Sequence, residues 1–344
     1  RSGRFDVILN EADGSRMRPF KAPAAHEPVI PATTTLVAPV AGLDALGRPL
    51  NDTTVHRAAL VSQLSRTPLK SPITPAVIAR ALAHPAGGLK NVPPAARVVP
   101  LLNKLDAADP GAARRLARQL LRTARIDSVA VGSAGRDNPA TWVQTRLAVV
   151  VLAAGEGRRF GSAKQLALWR GKPMLAHAVD AALKSQTGPV VVVLGARADE
   201  CRAALGNRPV TVVVNPHWAQ GQSTSLKAGL AALPANTGAA IFALADQPRV
   251  APAVFRALAA RFEQTLAPVV WPEFEGRRGN PVLFHRRLFP EMNRLTGDTG
   301  ARPVLLAHRR HAARVSLTNP AILHDVDTPA DLESDGTSVR IEDG

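Results

Sequence analysis

Tyrosine is missing from this 344-residue chain, and only 9 Phe and 4 Trp supply large aromatic rings. Such a chain has little with which to stack bases, so nucleic acid is not an expected partner, although Lys and Arg outnumber Asp and Glu 43 to 27. The resulting charge of +16 has no concentrated block: residues 1–146 hold 20 basic and 10 acidic side chains, and residues 147–344 hold 23 and 17. A scattered, Arg-rich excess points instead to phosphate-rich small molecules. Cys201 is the one cysteine, which excludes an internal disulfide. No apolar run approaches the ~20 residues that cross a bilayer. The longest, Leu147–Ala154 and Pro189–Ala196, are strand-sized. With neither a secretory nor a twin-arginine leader in view, the chain is expected in the cytoplasm and away from membranes. It starts at Arg1 and enters the apolar run Phe5–Leu9 almost at once, so its natural N-terminus is expected further upstream.

What is present suffices for packed cores: 46% of residues are hydrophobic and 20% charged. At roughly 100–200 residues per domain, the length predicts two domains. Val131–Arg146 is rich in Gly, Ser, Asn, Asp and Pro and separates a helical stretch from an apolar strand. The expected division is therefore a first domain over 1–131, a linker over 132–146, a second domain over 147–333 and a polar tail over 334–344. Downstream of the linker, strand-like runs at 148–151, 189–194, 210–214 and 239–244 alternate with helical runs at 174–185, 198–205, 223–233 and 251–262. That alternation predicts an α/β fold, a mostly parallel sheet with helices on both faces. Upstream, Ala112–Thr123 has Leu and Ala at helical spacing with Arg on the other face, while prolines at 19, 23, 28, 31 and 39 break any longer pattern.

The strongest chemical signal follows Leu147. A buried strand runs into Gly155-Glu156-Gly157-Arg158-Arg159-Phe160-Gly161, and Lys164 comes shortly after. Glycines at this spacing let a backbone turn sharply and bring its N–H groups against an anion. Arg159 and Lys164 add the positive charge that a triphosphate under cleavage needs. An ordinary glycine turn and a dinucleotide-binding fold are the competing readings, but the pattern here is Gly-x-Gly-x-x-x-Gly and no acidic residue closes a second strand at the distance a dinucleotide fold requires. A second signal is Asp246, directly after the apolar run Ile241–Leu244, where a parallel sheet presents carboxylates to its ligand crevice. Mg²⁺ prefers one or two carboxylates plus phosphate oxygens and water, and Asp327 is the candidate second ligand. Both aspartates could instead be caps, Asp246 of the following turn and Asp327 of a helix starting near Pro329.

Seven segments in order, LAAGEGRRFGSAKQL at 152–166, RGKPML at 170–175, NPHWAQGQSTSLKAGL at 215–230, ALADQP at 243–248, RRGNPVLF at 277–284, GDTGAR at 297–302 and DVDTPADL at 325–332, resemble the molybdenum cofactor cytidylyltransferases of the MobA-like nucleotidyltransferase group. The resemblance implies a Rossmann-like three-layer sandwich that transfers CMP from CTP to molybdopterin with Mg²⁺, releasing pyrophosphate, for the maturation of a molybdenum hydroxylase apo-enzyme. Carried over by position, it implies that Arg159, Lys164 and Asp246 are catalytic and that Asp246 and Asp327 hold the metal. Leu152, Ala153, Ala154, Gly155, Gly157, Gly161, Gln222, Ser223 and Ser225 would surround the nucleotide, and Asn280, Asp298 and Arg302 would face the acceptor. Guanylyltransferase relatives carry a second glycine where this chain has Ala153 or Ala154 and lack the GQSTSL segment, so cytidine is the expected base. The family's usual glycine before the metal aspartate is Ala245 here. A guanylyl- or sugar-phosphate transferase of the same fold, and a non-catalytic carrier or insertion chaperone for the finished cofactor, remain the alternatives. In-line transfer of this kind needs no covalent nucleophile, so the histidines, among them His177, His217 and His285, and Cys201 are expected to be structural.

In the first domain, Phe5–Leu9 reads as a buried strand whose end carries Glu11 and Asp13, as metal-side carboxylates do in P-loop NTPases. Val98–Leu102 reads as another strand, ending in Asn103-Lys104-Leu105-Asp106. That is the Asn-Lys-x-Asp pattern with which many GTP-binding proteins read a purine base, the Asp accepting from the ring N–H and the exocyclic amine while the Lys aliphatic stem covers the base; a plain strand-end turn is the alternative. The runs NEADGSRMRPFKAPAAHEPVIP, GLDALGRPL and LLNKLD resemble the YqeC-type accessory proteins of molybdenum hydroxylases over residues 5–130, which implies a partial P-loop-NTPase-like α/β domain. The Gly-x-x-x-x-Gly-Lys-[Ser/Thr] loop of such domains is not in this sequence.

Overall fold

A computed structural model describes residues 7–137, 139–157, 160, 163–326, 328 and 331. The chain forms two compact units, residues 1–145 and 146–344.

The first unit is built on a four-stranded sheet of β1 (Val40–Gly42), β2 (Leu101–Asn103), β3 (Ser128–Gly132) and β4 (Ala140–Thr145), in that order. The first three strands are parallel and β4 is antiparallel to β3. Helices α1 (Ala58–Ser65), α2 (Pro75–Ala83) and α3 (Pro110–Leu120) complete the unit. Helix α3 starts where its residues dictate: the Asp109 carboxylate accepts from the N–H groups of Gly111 and Ala112, and Pro110 fits the first turn. Its Ala113, Leu116, Ala117 and Leu120 are buried at helical spacing.

Three expectations change here. The segment 132–146 is not a free linker, because β4 lies inside it and pairs with β3. Val98–Leu102 is not one strand: Pro100 has no N–H to give a ladder, and the run divides into Arg97–Val98 and β2. Of the run Phe5–Leu9, Phe5 lies outside the described residues, and Val7, Ile8 and Leu9 form no strand and are 73%, 73% and 92% exposed. An apolar run becomes a buried strand only beside a strand that can pair with it, and no described strand adjoins this one.

The second unit carries an eight-stranded sheet of β5 (Leu147–Ala153), β6 (Val190–Leu194), β7 (Thr211–Val214), β8 (Ala239–Leu244), β9 (Val269–Phe274), β10 (Arg277–Arg278), β11 (Val282–His285) and β12 (Ala313–Ser316). Its order is β7-β6-β5-β8-β11-β9-β10, with β12 parallel to β9. Strands β5 to β8 are mutually parallel, and β11 runs against both of its neighbours. Alternation along β5 explains the layers. Leu147, Val149, Val151 and Ala153 face one core, against helices α4 (Met174–Ser185), α5 (Ala198–Leu205) and α7 (Pro252–Thr265). Val150 and Ala154 face the other, against α6 (Gln222–Ala231) and α8 (Arg302–Ala307). The result is the α/β sandwich with a mostly parallel sheet that the strand-helix alternation predicts. Among the described residues no helix is long and apolar enough to cross a membrane.

Candidate active site

From β5 the chain steps outward through β6 to β7, then returns to the opposite side of β5 as β8. The carboxyl ends of β5 and β8 thus border the crevice where such a sheet binds ligands. The register sets Leu244 beside Leu152, and the Ala245 N–H donates to the Leu152 carbonyl at 3.1 Å. The glycine loop and Asp246 therefore leave the sheet side by side. Ala245 is buried there, so its methyl group is accommodated.

A cavity of about 530 Å³ opens at this place, lined by Leu152, Ala153, Ala154, Gly155, Gly157, Lys164, Gln222, Ser225, Asp246 and Asp298 among others. Its size suits a nucleotide-sized ligand. Lys164 Nζ stands 2.8 Å from Asp246 Oδ2, with the two side chains 13% and 29% exposed. Asp246 Oδ1 is buried and has no hydrogen-bond partner among the described residues, where the carboxylate caps no turn. Half of this carboxylate is committed to an ammonium, and the other half is an unpaired acceptor. Beside it, the Val326 N–H donates to the Asp246 carbonyl at 3.0 Å, and Gln247 Nε2 donates to Asp325 Oδ1 at 2.6 Å. The segment carrying Asp325 and Val326 is thereby pinned to the end of β8. Asp327, which follows, lies outside the described residues, as do Arg159 and Gly161.

The loop itself is shaped by two devices. Gly157 has φ +73°, which favours glycine. Gln165, buried against the loop, donates from Nε2 to the Gly155 carbonyl at 3.0 Å and the Ala153 carbonyl at 3.4 Å. These bonds hold loop carbonyls from behind. Gln165 also touches Cys201, whose thiol is pushed up by burial and is, as expected, a packed helix residue. Sequence reasoning missed Gln165, although its place next to Lys164 was a usable signal. It also missed Asn215, a buried hub that donates to Thr224 Oγ1 at 2.8 Å and Ser225 Oγ at 3.0 Å and so orients Ser225 in the cavity wall. Trp218 and Phe160 complete the wall.

The remaining expected residues divide. Asp298 is in the wall, and its Oδ1 accepts from the Gln222 N–H at 3.0 Å, capping α6 from another part of the chain. Ser223 is buried and its N–H donates to the Gly297 carbonyl at 3.2 Å, so it joins the two loops and does not line the cavity. Gly221, at φ +112°, lets these loops touch: a Cβ there would come within 2.5 Å of the Gly297 carbonyl. Asn280 follows the β9–β10 hairpin and is tied to the Ile322 carbonyl by its N–H at 3.1 Å, and Arg302 opens α8; neither lines the cavity. His177 is a packing group, its Nε2 2.8 Å from the Trp169 carbonyl and its ring edge-on to Trp169.

In the first unit Glu11 is exposed, and Asp13 is ion-paired with Lys21 at 3.0 Å within a network that includes Glu27 and Arg57; neither stands at a strand end. Asn103, Lys104 and Asp106 do stand together at the carboxyl end of β2, where Lys104 pairs with Asp44 and Asp106 with Ser133 and Arg136.

Comparison with known proteins agrees with this geometry. Residues 149–313 match the MobA-like NTP transferase domain, and residues 1–59 match the YqeC protein family. The chain is 31% identical over 186 residues to the nicotine blue oxidoreductase of Paenarthrobacter nicotinovorans, covering 52% of this chain and 91% of that protein. It is 27% identical over 185 residues to the molybdenum cofactor cytidylyltransferase of Escherichia coli K12, covering 53% of this chain and 92% of that one. To the uncharacterised YqeC protein of Escherichia coli K12 it is 32% identical over 127 residues, spanning 37% of this chain and half of that relative. Among solved structures, Rv0371c of Mycobacterium tuberculosis H37Rv superposes with a TM-score of 0.50 at 29% identity, covering 55% of this chain and 97% of that one. A cavity built on a glycine loop and a strand-end aspartate, in a region matched nearly end to end by such relatives, identifies the chain as a member of the MobA-like NTP transferase family with a YqeC region ahead of the transferase domain.

Proposed function

We propose that the second unit transfers CMP from CTP to the terminal phosphate of molybdopterin, forming the cytosine dinucleotide and pyrophosphate for delivery to an apo-molybdenum hydroxylase. The observation that carries this reading is the Asp246 carboxylate, one oxygen on Lys164 and the other buried without a partner, at the mouth of a cavity walled by the glycine loop. An orphaned carboxylate oxygen among phosphate-binding groups suits Mg²⁺, which takes few protein carboxylates. No group of three or more metal-ligating side chains occurs among the described residues, and none is needed for that ion. Asp246, with Asp327 by resemblance, would hold it. Bound there, the ion supplies charge compensation on the phosphate oxygens.

The chain's own residues do the rest. Amides of the loop at 154–157 and the Lys164 ammonium fix the triphosphate so that its α-phosphorus is open to in-line attack. An acceptor phosphate oxygen forms the new P–O bond while the bond from the α-phosphorus to the bridging oxygen of the β-phosphate breaks, and that oxygen leaves with pyrophosphate. No proton has to move in this step. Gln222 and Ser225, both in the cavity wall and the latter held by Asn215, would meet the cytidine moiety. The relative named as an oxidoreductase is similar over the same length of chain as the cytidylyltransferase, so similarity alone does not select the reaction and the site residues have to.

The test is to incubate the full chain with Mg²⁺, molybdopterin and each of the four nucleoside triphosphates and to follow pyrophosphate. Release with CTP is expected, and Asp246→Ala should lower it by about 10²-fold or more. Faster release with GTP would make the protein a guanylyltransferase, and release only with a sugar-phosphate acceptor would move it to that class. Absence of release together with Asp246-independent binding of the finished cofactor would make it a carrier or chaperone.

A further inference from the structure

The loop that carries Asp298 and Gly300 has no part in the reaction above, yet it meets the start of α6 at four points. Gly221 touches Gly297 backbone to backbone, the Ser223 N–H donates to the Gly297 carbonyl at 3.2 Å, and the Gln222 N–H donates to Asp298 Oδ1 at 3.0 Å. The Thr224 N–H is taken by the Gly221 carbonyl at 3.2 Å. The first amides of α6 are therefore spent, and this helix end has none left to hold a phosphate. The fourth point is Gly300, at φ +56°: a Cβ there would lie 2.3 Å from Gln222 Oε1 and 3.9 Å from Nε2. The Gln222 side chain thus rests its oxygen on a bare Cα, with its amino end farther from that glycine. Gln222 and Asp298 both line the cavity, and among the described residues neither the Gln222 carboxamide nor Asp298 Oδ2 has a hydrogen-bond partner.

A carboxylate repels phosphate, so Asp298 belongs to the part of the cavity that takes the nucleoside, as Lys164 and the glycine loop belong to the part that takes phosphates. An ionised carboxylate only accepts, and the amino end of a carboxamide only donates. Side by side, they match a ring edge on which an exocyclic amino group adjoins a ring acceptor. Cytosine and adenine carry that edge, whereas uracil and guanine put a ring N–H in place of the acceptor. We propose that Asp298 and Gly300 are specificity-determining residues for the nucleotide: Asp298 accepts from the amino group of the base, and Gly300 seats the Gln222 carboxamide so that it donates to the adjoining ring nitrogen. The inference rests on the reading of the second unit as a CTP-dependent transferase and adds that the site rejects UTP by the polarity of one edge. It also moves Asp298 from the acceptor, where the resemblance put it, to the base.

The test is calorimetric titration of the full chain with CTP, UTP, ATP and GTP in Mg²⁺ and without an acceptor, so that no transfer takes place. CTP should bind about tenfold or more tightly than UTP. Asp298→Asn keeps an oxygen for the Gln222 N–H and offers the base an amino group, so CTP should lose about tenfold and the preference over UTP should vanish or reverse. Gly300→Ala should weaken CTP about tenfold by displacing the flexible tip of Gln222. The same change in a Gln222→Ala background should cost less than about threefold, because no carboxamide is left to displace. Thermal unfolding checks that each variant folds, and Asp298→Asn, nearly identical in shape to the parent, decides the proposal if alanine at φ +56° unfolds the loop. The proposal is overturned if the parent binds UTP as tightly as CTP, if Asp298→Asn leaves the ratio unchanged, or if Gly300→Ala costs the same with and without Gln222. Pyrophosphate release with CTP stands through any of those results. Tightest binding of ATP keeps the edge and removes cytidine as the base, and tightest binding of GTP overturns both readings.

Discussion

Replacing Gln165 by Met tests whether the glycine loop is held open for phosphates from behind. Met is close to Gln in volume and keeps the buried stem packed, but removes the donor that reaches the Gly155 carbonyl at 3.0 Å and the Ala153 carbonyl at 3.4 Å. Gln165 is 5% exposed, so water has poor access to replace it. A net neutral hydrogen bond contributes about 1 kcal/mol, and a buried carbonyl left unpaired costs about 1–3 kcal/mol. The 3.4 Å contact is long and adds little. The shorter bond alone therefore biases the loop by about 1–3 kcal/mol, which lowers kcat/KM roughly 5- to 150-fold if the loop must be ordered in the transition state. Pyrophosphate release at varied CTP measures it, with Gln165→Glu as a same-size control that turns an acceptor toward the carbonyls and should be worse. Denaturant unfolding should show a smaller change than the kinetics, because the loop is local. A Gln165→Met protein with kcat/KM within about threefold of the parent refutes the reasoning, since the hydrogen bonds would then contribute nothing to the productive loop.

Gly221→Ala should destabilise the second unit by about 2–5 kcal/mol, because φ +112° is strained for any side chain and the new Cβ would meet the Gly297 carbonyl at 2.5 Å; an unchanged Tm in a thermal melt would show that the two loops separate without cost. Asp180 sits between Lys172 and Arg208; burial disfavours its charge, but these two partners outweigh burial and bring its pKa down to about 2 from the ordinary 3.8. A carboxylate whose pKa is depressed by folding stabilises above its unfolded value and loses that contribution as pH falls, so about 2 kcal/mol should disappear between roughly pH 4 and pH 2. Asp180→Asn should accordingly destabilise the second unit at pH 6 by more than at pH 2 in urea titrations, and equal effects at both pH values would contradict the assignment.

The strands and helices of the second unit were legible because they are long, apolar and unambiguous in period. The runs at 174–185, 198–205 and 239–244 coincide with α4, α5 and β8. The first unit was harder, since its strands are two to six residues long and their existence depends on neighbours. Val7–Leu9 has the composition of a strand and no described partner, and Val98–Leu102 has the composition but also Pro100. In the candidate site, charged residues that follow strands announced themselves, as Lys164 and Asp246 did. Gln165 and Asn215 did not, because a buried amide acts through carbonyls and hydroxyls whose positions only the fold supplies. Asp298 shows the same limit from the other side: its charge was visible, but its bond to the start of α6 joins residues far apart in the chain.

In both units the motif residues gather at the carboxyl ends of parallel strands, and the reason is common to both. Inside a sheet every backbone N–H and C=O is spent on the ladder, so no direction is left in which to aim a group at a ligand. Where the strands stop, the chain turns, and side chains from neighbouring strands meet although they are distant in sequence. In the second unit this brings Asp246 from the end of β8 against Lys164, which follows the loop after β5, and brings the start of α6 to the same cavity. In the first unit it brings Asp44, Asp106 and Ser133 from three strand ends into one hydrogen-bonded set. The chemistry at the two places differs, because one end is walled by glycine amides and an ammonium, and the other by an anchored carboxylate and a methylene stem. The charges gathered at each strand end, more than the shared topology, therefore set the ligand chemistry each place can accept.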